Sequence, residues 1–280
     1  MNGKQFSQRR LSLGFRTEMI FNRFDGIVLD RGDYLVVKTP SNPGFFFGNF
    51  LLFFEAPRLG TLEKWKKLFR KEFEDSPAIN HYTFLWDSPT EGIGDVTELG
   101  MEGFRVDFSV VLTARSVHLP PKSNSQIEVR PISTDQEWRE VIETQITSKA
   151  SDYSEDSYRQ FKEKQMARYK AMSEQGLGHW FGAFLDGKLV GDLGIYRDGQ
   201  LGRFQSVETH PDYRRQGICG RLVYESAQFA LEKMGLTELV MVADENYHAA
   251  KIYESVGFVP TAKEYSAFWW NKNPVSGLDN

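Results

Sequence analysis

Val207-Glu208-Thr209-His210-Pro211-Asp212-Tyr213-Arg214-Arg215-Gln216-Gly217-Ile218-Cys219-Gly220 reads as the end of a strand, a tight basic glycine loop, and the first turn of an amphipathic helix. Phe204 to Thr209 suits an extended segment, and Pro211 discourages its continuing as a ladder. After the loop, Ile218, Leu222, Ala230, Leu231 and Met234 recur at helical spacing until Gly235 ends the run. A helix start leaves its first backbone N–H groups unpaired and carries a partial positive charge. Gly217 and Gly220 remove side-chain bulk there, so a phosphate can approach those N–H groups closely, and Arg214 and Arg215 add full positive charge. The outcome is a diphosphate cradle without the lysine–serine or lysine–threonine pair of a P-loop. Taken alone, the same letters also describe an ordinary strand-to-helix turn with solvated arginines.

The loop does not stand alone. Leu239 to Ala243 forms a short apolar strand, followed by Asp244-Glu245-Asn246-Tyr247-His248-Ala249-Ala250-Lys251-Ile252-Tyr253-Glu254-Ser255-Val256-Gly257-Phe258. The loop resembles the R-x-x-G-x-G/A signature of the GNAT superfamily of acyl-CoA-dependent N-acetyltransferases. The second block resembles that family's N-x-x-A-x-x-x-Y-x-x-x-G-F segment, position for position. One departure is Cys219, which stands where the family usually has Gly or Ala; cysteine is small and packs as a modest hydrophobe. The resemblance covers roughly Ile127 to Trp270.

That resemblance implies a mixed, mostly antiparallel central sheet flanked by helices, an α/β (α+β) fold, with acetyl-CoA as co-substrate in a splayed gap beside the strand entering the cradle. Val207 and Thr209 would hydrogen-bond the pantetheine arm through their backbones, with Glu208 between them. Arg215, Gln216, Gly217, Ile218, Cys219 and Gly220 would surround the pyrophosphate with N–H donors, as dispersed donors at a helix terminus suit two phosphates. Arg214 either touches the ribose phosphate or faces water. Asn246 and Tyr253 are seven residues apart, so on a helix they share a face at ~10 Å axial separation. Asn246 would touch the cofactor arm, and Tyr253 would donate to the departing thiolate. Full proton transfer from a phenol of pKa ~10 to a thiolate of pKa ~8.5 is uphill by about 2 kcal/mol, so hydrogen-bond stabilisation is the role expected of it.

The acceptor amine must lose a proton before attack, at a cost of about 4 to 5 kcal/mol at pH 7 for a lysine-like amine. A general base lowers that barrier. Glu208 is the first candidate and Asp192, on the neighbouring strand, the second; each also reads as a solvated or structural carboxylate. Ser151, Asp152, Tyr153 and Glu155 lie between the first two helices of this half, where the family often builds one wall of its acceptor pocket. The acceptor is expected to be a primary amine of a small molecule or peptide. A non-catalytic acyl-CoA-binding or regulatory protein is the alternative.

The composition sets the frame. A chain of 280 residues with 40% hydrophobic and 26% charged residues fits one large or two modest globular domains. A net charge of −4 without a basic tract argues against nucleic acid as a partner. The single cysteine, Cys219, excludes an internal disulfide framework and fits a reducing compartment. The most apolar run, Phe45 to Phe54, falls short of the ~20 residues a bilayer requires, and Met1 to Arg16 lack the apolar core of a secretory signal. A cytoplasmic enzyme without a membrane association is expected. His179, His210 and His248 are dispersed without metal-like pairing, so no metal is expected.

His118 to Gln126, containing Leu-Pro-Pro-Lys-Ser-Asn-Ser, is the best linker, which divides the chain into 1–120 and 126–280. In the first half, Gly26 to Val37 and Gly44 to Phe54 look like strands, and Thr61 caps a helix faced by Leu62, Trp65, Leu68, Phe69 and Phe73. In the second, Asp135 to Thr147 and a helix capped by Ser154 or Asp156 precede a hairpin around Asp186-Gly187. Strand, connection, Gly-Phe and strand describe both His81 to Thr113 and Glu238 to Trp270. The first half therefore reads either as a degenerate copy of the second, lacking the cradle and the Asn/Tyr pair, or as an unrelated α+β domain. It would shape the acceptor pocket or mediate contacts in a homodimer.

Overall fold

The computed structural model describes residues 11–148, 155–244 and 249–270. They form two compact units. One runs to Ser109 and takes in the chain again from Lys263; the other is Val110–Ala262. The boundaries thus fall inside two strands rather than in the segment from His118 to Gln126.

The first unit opens with α1 (Leu13–Asp25), a helix not anticipated above. The antiparallel meander β1 (Ile27–Asp30), β2 (Tyr34–Lys38) and β3 (Phe50–Phe53) follows. Then come α2 (Thr61–Glu72), β4 (His81–Trp86) parallel to β3, the short α3 (Thr97–Met101) and β5 (Arg105–Ala114). Alternation along the strands builds two apolar layers. Leu35, Val37, Phe50, Leu52 and Leu85 meet Phe15 and Met19 of α1, while Val36, Leu51, Phe53, Phe84 and Trp86 meet Trp65 and Phe69 of α2. The cap of α2 is Gly60 in the left-handed region, not Thr61, whose hydroxyl instead accepts from Arg58 N–H at 2.9 Å.

The second unit contains β6 (Glu128–Pro131), α4 (Asp135–Thr147) and α5 (Glu155–Glu174). Next is the meander β7 (Gly178–Leu185), β8 (Lys188–Asp198) and β9 (Leu201–Thr209), with Asp186 and Gly187 at φ of 49° and 78° making the two-residue turn. Then α6 (Ile218–Glu232), β10 (Glu238–Asp244) parallel to β9, α7 (Ala249–Glu254) and β11 (Val259–Trp270) follow. A capping box joins Thr134 and Glu137 at the start of α4. Phe181, Ala183, Leu193 and Ile195 pack with Leu222 and Val223 of α6. On the opposite side of the same strands, Trp180 and Tyr196 stack with Tyr169 of α5.

The order β7-β8-β9-α6-β10-α7-β11 repeats β1-β2-β3-α2-β4-α3-β5, so of the two readings of the first half the element order matches the degenerate copy. Closure of each unit departs from that simple repeat. In the first, β4 is flanked by β11, with Trp86 opposite Tyr265 and His81 opposite Trp270. In the second, β10 is flanked by β5, whose Val110, Leu112 and Ala114 enter the core.

Candidate active site

Strands β9 and β10 begin as neighbours and then part. Their parallel register covers Leu201, Gly202 and Arg203 against Glu238, Leu239 and Val240, although β9 runs on to Thr209 and β10 to Asp244. Among the described residues, the ladder does not resume, so the β10-facing main-chain groups after Arg203 have no strand partner there; at Thr209 the N–H donates to Glu208 Oε1 at 3.3 Å and the carbonyl is held by a side chain. On its other side β9 stays paired with β8, but with one residue too many. Gly194 opposes Gln205 and Asp192 opposes Glu208, leaving Ser206 and Val207 opposite Leu193. Ser206 takes up the surplus with a φ of 48°, a β-bulge that turns the end of the strand. No letter of the sequence announces it, since serine at positive φ is uncommon.

The chain then passes through a 3-10 turn at Pro211–Tyr213 into α6. Gly217 caps this helix at φ 79°, and the preceding Arg215 is also left-handed at 65°. Ile218 is 1% exposed and packs into the core, so it presents only its backbone here. Gly191 permits that approach: a Cβ there would lie 3.5 Å from Ile218 Cγ2 and 3.0 Å from Glu208 O. The two loop glycines also answer to packing. At Gly217 the missing Cβ would meet backbone atoms of Lys122, Ser123 and Asn124 at 3.0–3.2 Å, and at Gly220 it would meet Pro120 Cγ at 3.0 Å. Asn124 N–H also donates to Gly217 O at 3.2 Å. The segment from Pro120 to Asn124 therefore straps the start of α6, and the glycines make room for the strap.

Glu208 and Thr209 close the strand beside this helix start. Arg214 does not reach outward: it donates through NH2 to Glu208 Oε1 and through Nε to Thr209 O, both at 3.2 Å. Gln216 folds back, its Nε2 donating to Asp212 O at 3.4 Å. Burial pushes the Cys219 thiol up to about 12, so it is held as a neutral thiol beside Thr209. Tyr158 of α5 also feels Glu208: burial first, then that carboxylate, raises its phenol above the ordinary value. Tyr253 lies on α7 as expected, 5% exposed and packed in the core of this unit. Asn246, Ser151, Asp152, Tyr153 and the capping candidate Ser154 lie outside the described residues.

Asp192 sits in a different setting from Glu208. It is 0% exposed, and its Oδ1 accepts from Gln145 Nε2 at 2.7 Å and Trp180 Nε1 at 3.1 Å. Lys162, 7% exposed, donates to Gln145 Oε1 at 3.1 Å. Burial pushes the Asp192 carboxyl up to about 8 and the Lys162 ammonium down to about 8. Gln145 and Lys162 were not singled out from the sequence. The signal was there: Gln145 continues the buried stripe of Trp138 and Val141, and Lys162 shares its buried stripe with Met166 and Tyr169.

A model of the acetyltransferase (GNAT) family matches residues 138–258. No curated protein matches the chain by sequence. Among solved structures, a functionally unknown conserved protein from Staphylococcus epidermidis ATCC 12228 is similar at TM-score 0.69 and 16% identity, over 89% of this chain and 95% of that one. A GCN5-related N-acetyltransferase from Kribbella flavida is similar at TM-score 0.64 and 14% identity, over 94% and 97%. A tandem GNAT protein from the clavulanic acid biosynthesis pathway gives TM-score 0.55 and 10% identity, over 95% and 94%. At such identities the structural likeness concerns the fold, and it spans both units. Together with the family match, the forked strands and the glycine turn into α6, this makes residues 138–258 an acetyltransferase domain of the GNAT family, within a chain that has the fold of a tandem GNAT protein.

Proposed function

We propose that the second unit is an N-acetyltransferase that moves an acetyl group from acetyl-CoA to a primary amine of a small molecule or peptide, by direct attack in a ternary complex. The observation that carries this reading is the fork: β9 leaves β10 after Arg203 and ends at a helix start framed by Gly217 and Gly220. The main-chain groups of Val207 and Thr209 would hold the pantetheine arm, and the N–H groups from Arg215 through Gly220 its diphosphate, with Asn246 at the arm beyond. Glu208 would take the ammonium proton, directly or through water, since it is the partly exposed carboxylate at the fork and Asp192 is sealed away. Tyr253 would donate a hydrogen bond to the sulfur as the thiolate departs.

Calorimetry with acetyl-CoA and with ATP, followed by an amine panel read by released thiol, tests this. Expected are preferential binding of acetyl-CoA, turnover with at least one amine class, and loss of turnover in Tyr253→Phe with binding retained. Tight binding without turnover on any amine, and indifference to Tyr253→Phe, would make the protein an acyl-CoA-binding module. Equal affinity for ATP would set the acyl-CoA reading aside.

A further inference from the structure

The buried polar cluster between α4, α5, β8 and β9 has no task in the reaction just described. At its centre Gln145, 4% exposed, spends its amide in three directions. Nε2 donates to Asp192 Oδ1 at 2.7 Å and to the Ser206 carbonyl at 3.3 Å, and Oε1 accepts from Lys162 Nζ at 3.1 Å. Lys162 is itself held by Gln165 Oε1 at 2.9 Å, and Asp192 by Trp180 Nε1 at 3.1 Å. Burying a carboxyl, an ammonium and two amides costs solvation that an apolar core would not incur. The cluster ends on one main-chain atom, the carbonyl of the surplus residue Ser206 at φ 48°. A bulge carbonyl has left the ladder and needs a donor from elsewhere.

We propose that Gln145, anchored by Asp192 and Lys162, is a positioning residue that clamps the β9 bulge at Ser206 and thereby sets where Val207, Glu208 and Thr209 stand. The consequence for chemistry rests on the acetyl-transfer reading above; the clamp itself does not. It also gives Asp192 a task other than proton removal. Its Oδ1 is taken by two donors, and Oδ2 is buried with no hydrogen-bond partner among the described residues.

The test is amide hydrogen exchange of the ligand-free protein, read beside steady-state kinetics. In Gln145→Leu the amides of Val207, Glu208 and Thr209 should exchange at least tenfold faster, while those of β7 and α6 keep their wild-type rates. kcat should fall at least tenfold, with the KM for the amine within threefold of wild type. Asp192→Ala should reproduce both effects, and Asp192→Asn, which keeps an acceptor oxygen for Gln145 and Trp180, should restore both. Lys162→Met serves if Gln145→Leu does not fold, and should speed the same three amides. Unchanged exchange at those amides in Gln145→Leu or Lys162→Met overturns the clamp. An Asp192→Asn protein with wild-type exchange and no turnover overturns the assignment of Asp192 to positioning alone, because Asp192 would then be the base. A wild-type protein that fails to bind acetyl-CoA sinks the acetyl-transfer reading alone, since the exchange measurement still decides the clamp.

Discussion

Arg214 and Glu208 form an ion pair across the turn that joins β9 to α6, with NH2 and Oε1 3.2 Å apart. The same guanidinium holds Thr209 O through Nε, so one side chain ties together the last two residues of the strand. Both partners are partly exposed, and pairs of this kind contribute at most about 1 kcal/mol to stability. Arg214→Gln should therefore leave chemical denaturation nearly unchanged. On the proposed acetyl-CoA reading it should weaken acetyl-CoA binding up to about tenfold, roughly 1.4 kcal/mol, by loosening the strand end assigned there to the pantetheine arm. Calorimetry beside urea melts checks this; unaltered affinity would confine Arg214 to local bracing.

Gly217→Ala combines two penalties. A residue with a side chain at φ 79° is strained, and the new Cβ would press on main-chain atoms of the strap at 3.0–3.2 Å. Left-handed strain alone is of order 1–3 kcal/mol. The variant should lose about 2 kcal/mol or more in urea unfolding, even without ligand. A stability matching wild type would show that the strap yields freely.

The first unit should not bind a second acetyl-CoA. Its counterpart of the fork stays closed, because β3 and β4 remain paired through Phe53 and Trp86 at their ends. Its counterpart of the cradle is occupied by the chain's own carboxylates. Glu91 Oε2 accepts from Ala56 N–H at 3.0 Å, and Glu98 Oε1 from Gly60 N–H at 2.9 Å. Helix-start donors attract anions, and here the anions are built in. Calorimetric titration should give one acetyl-CoA per chain; two would contradict it.

His81 should make the protein acid-sensitive. The ring is 3% exposed on β4, with Nε2 3.1 Å from Asn49 O, and burial pushes its pKa down to about 4. An unfolded histidine titrates near 6.5. Between these values the unfolded chain binds a proton that the folded chain refuses, so stability falls as pH drops from 6.5 to 4, by about 3 kcal/mol at most. Urea melts across this range should show a shallower pH dependence in His81→Gln than in wild type.

Much of this was legible in the letters. Asp186-Gly187 announced its hairpin through two residues that tolerate positive φ, and the Gly-Phe pairs marked the return to a final strand in both halves. The strand, glycine turn and helix start from Val207 to Gly220 were legible as local structure, but the packing need for the glycines was not: proximity of residues 120–124 to α6 is a tertiary fact that local chemistry does not encode. Gln145 and Lys162 were missed because polar side chains on helices are assigned to water, although both fall on buried stripes. The cap of α2 shifted by one residue because a left-handed glycine ended the loop and Thr61 turned its hydroxyl to Arg58 instead.

The closure of the first unit by Lys263 to Trp270 has a consequence for biosynthesis. Chains usually acquire structure from the N-terminus as they leave the ribosome. Here β4 must wait for a neighbour translated more than a hundred residues later, whereas β10 finds β5 already made. The earlier-born half should thus be the later one to mature, and a nonsense codon just after Phe258 should spare the whole family-matched stretch while crippling the half encoded first.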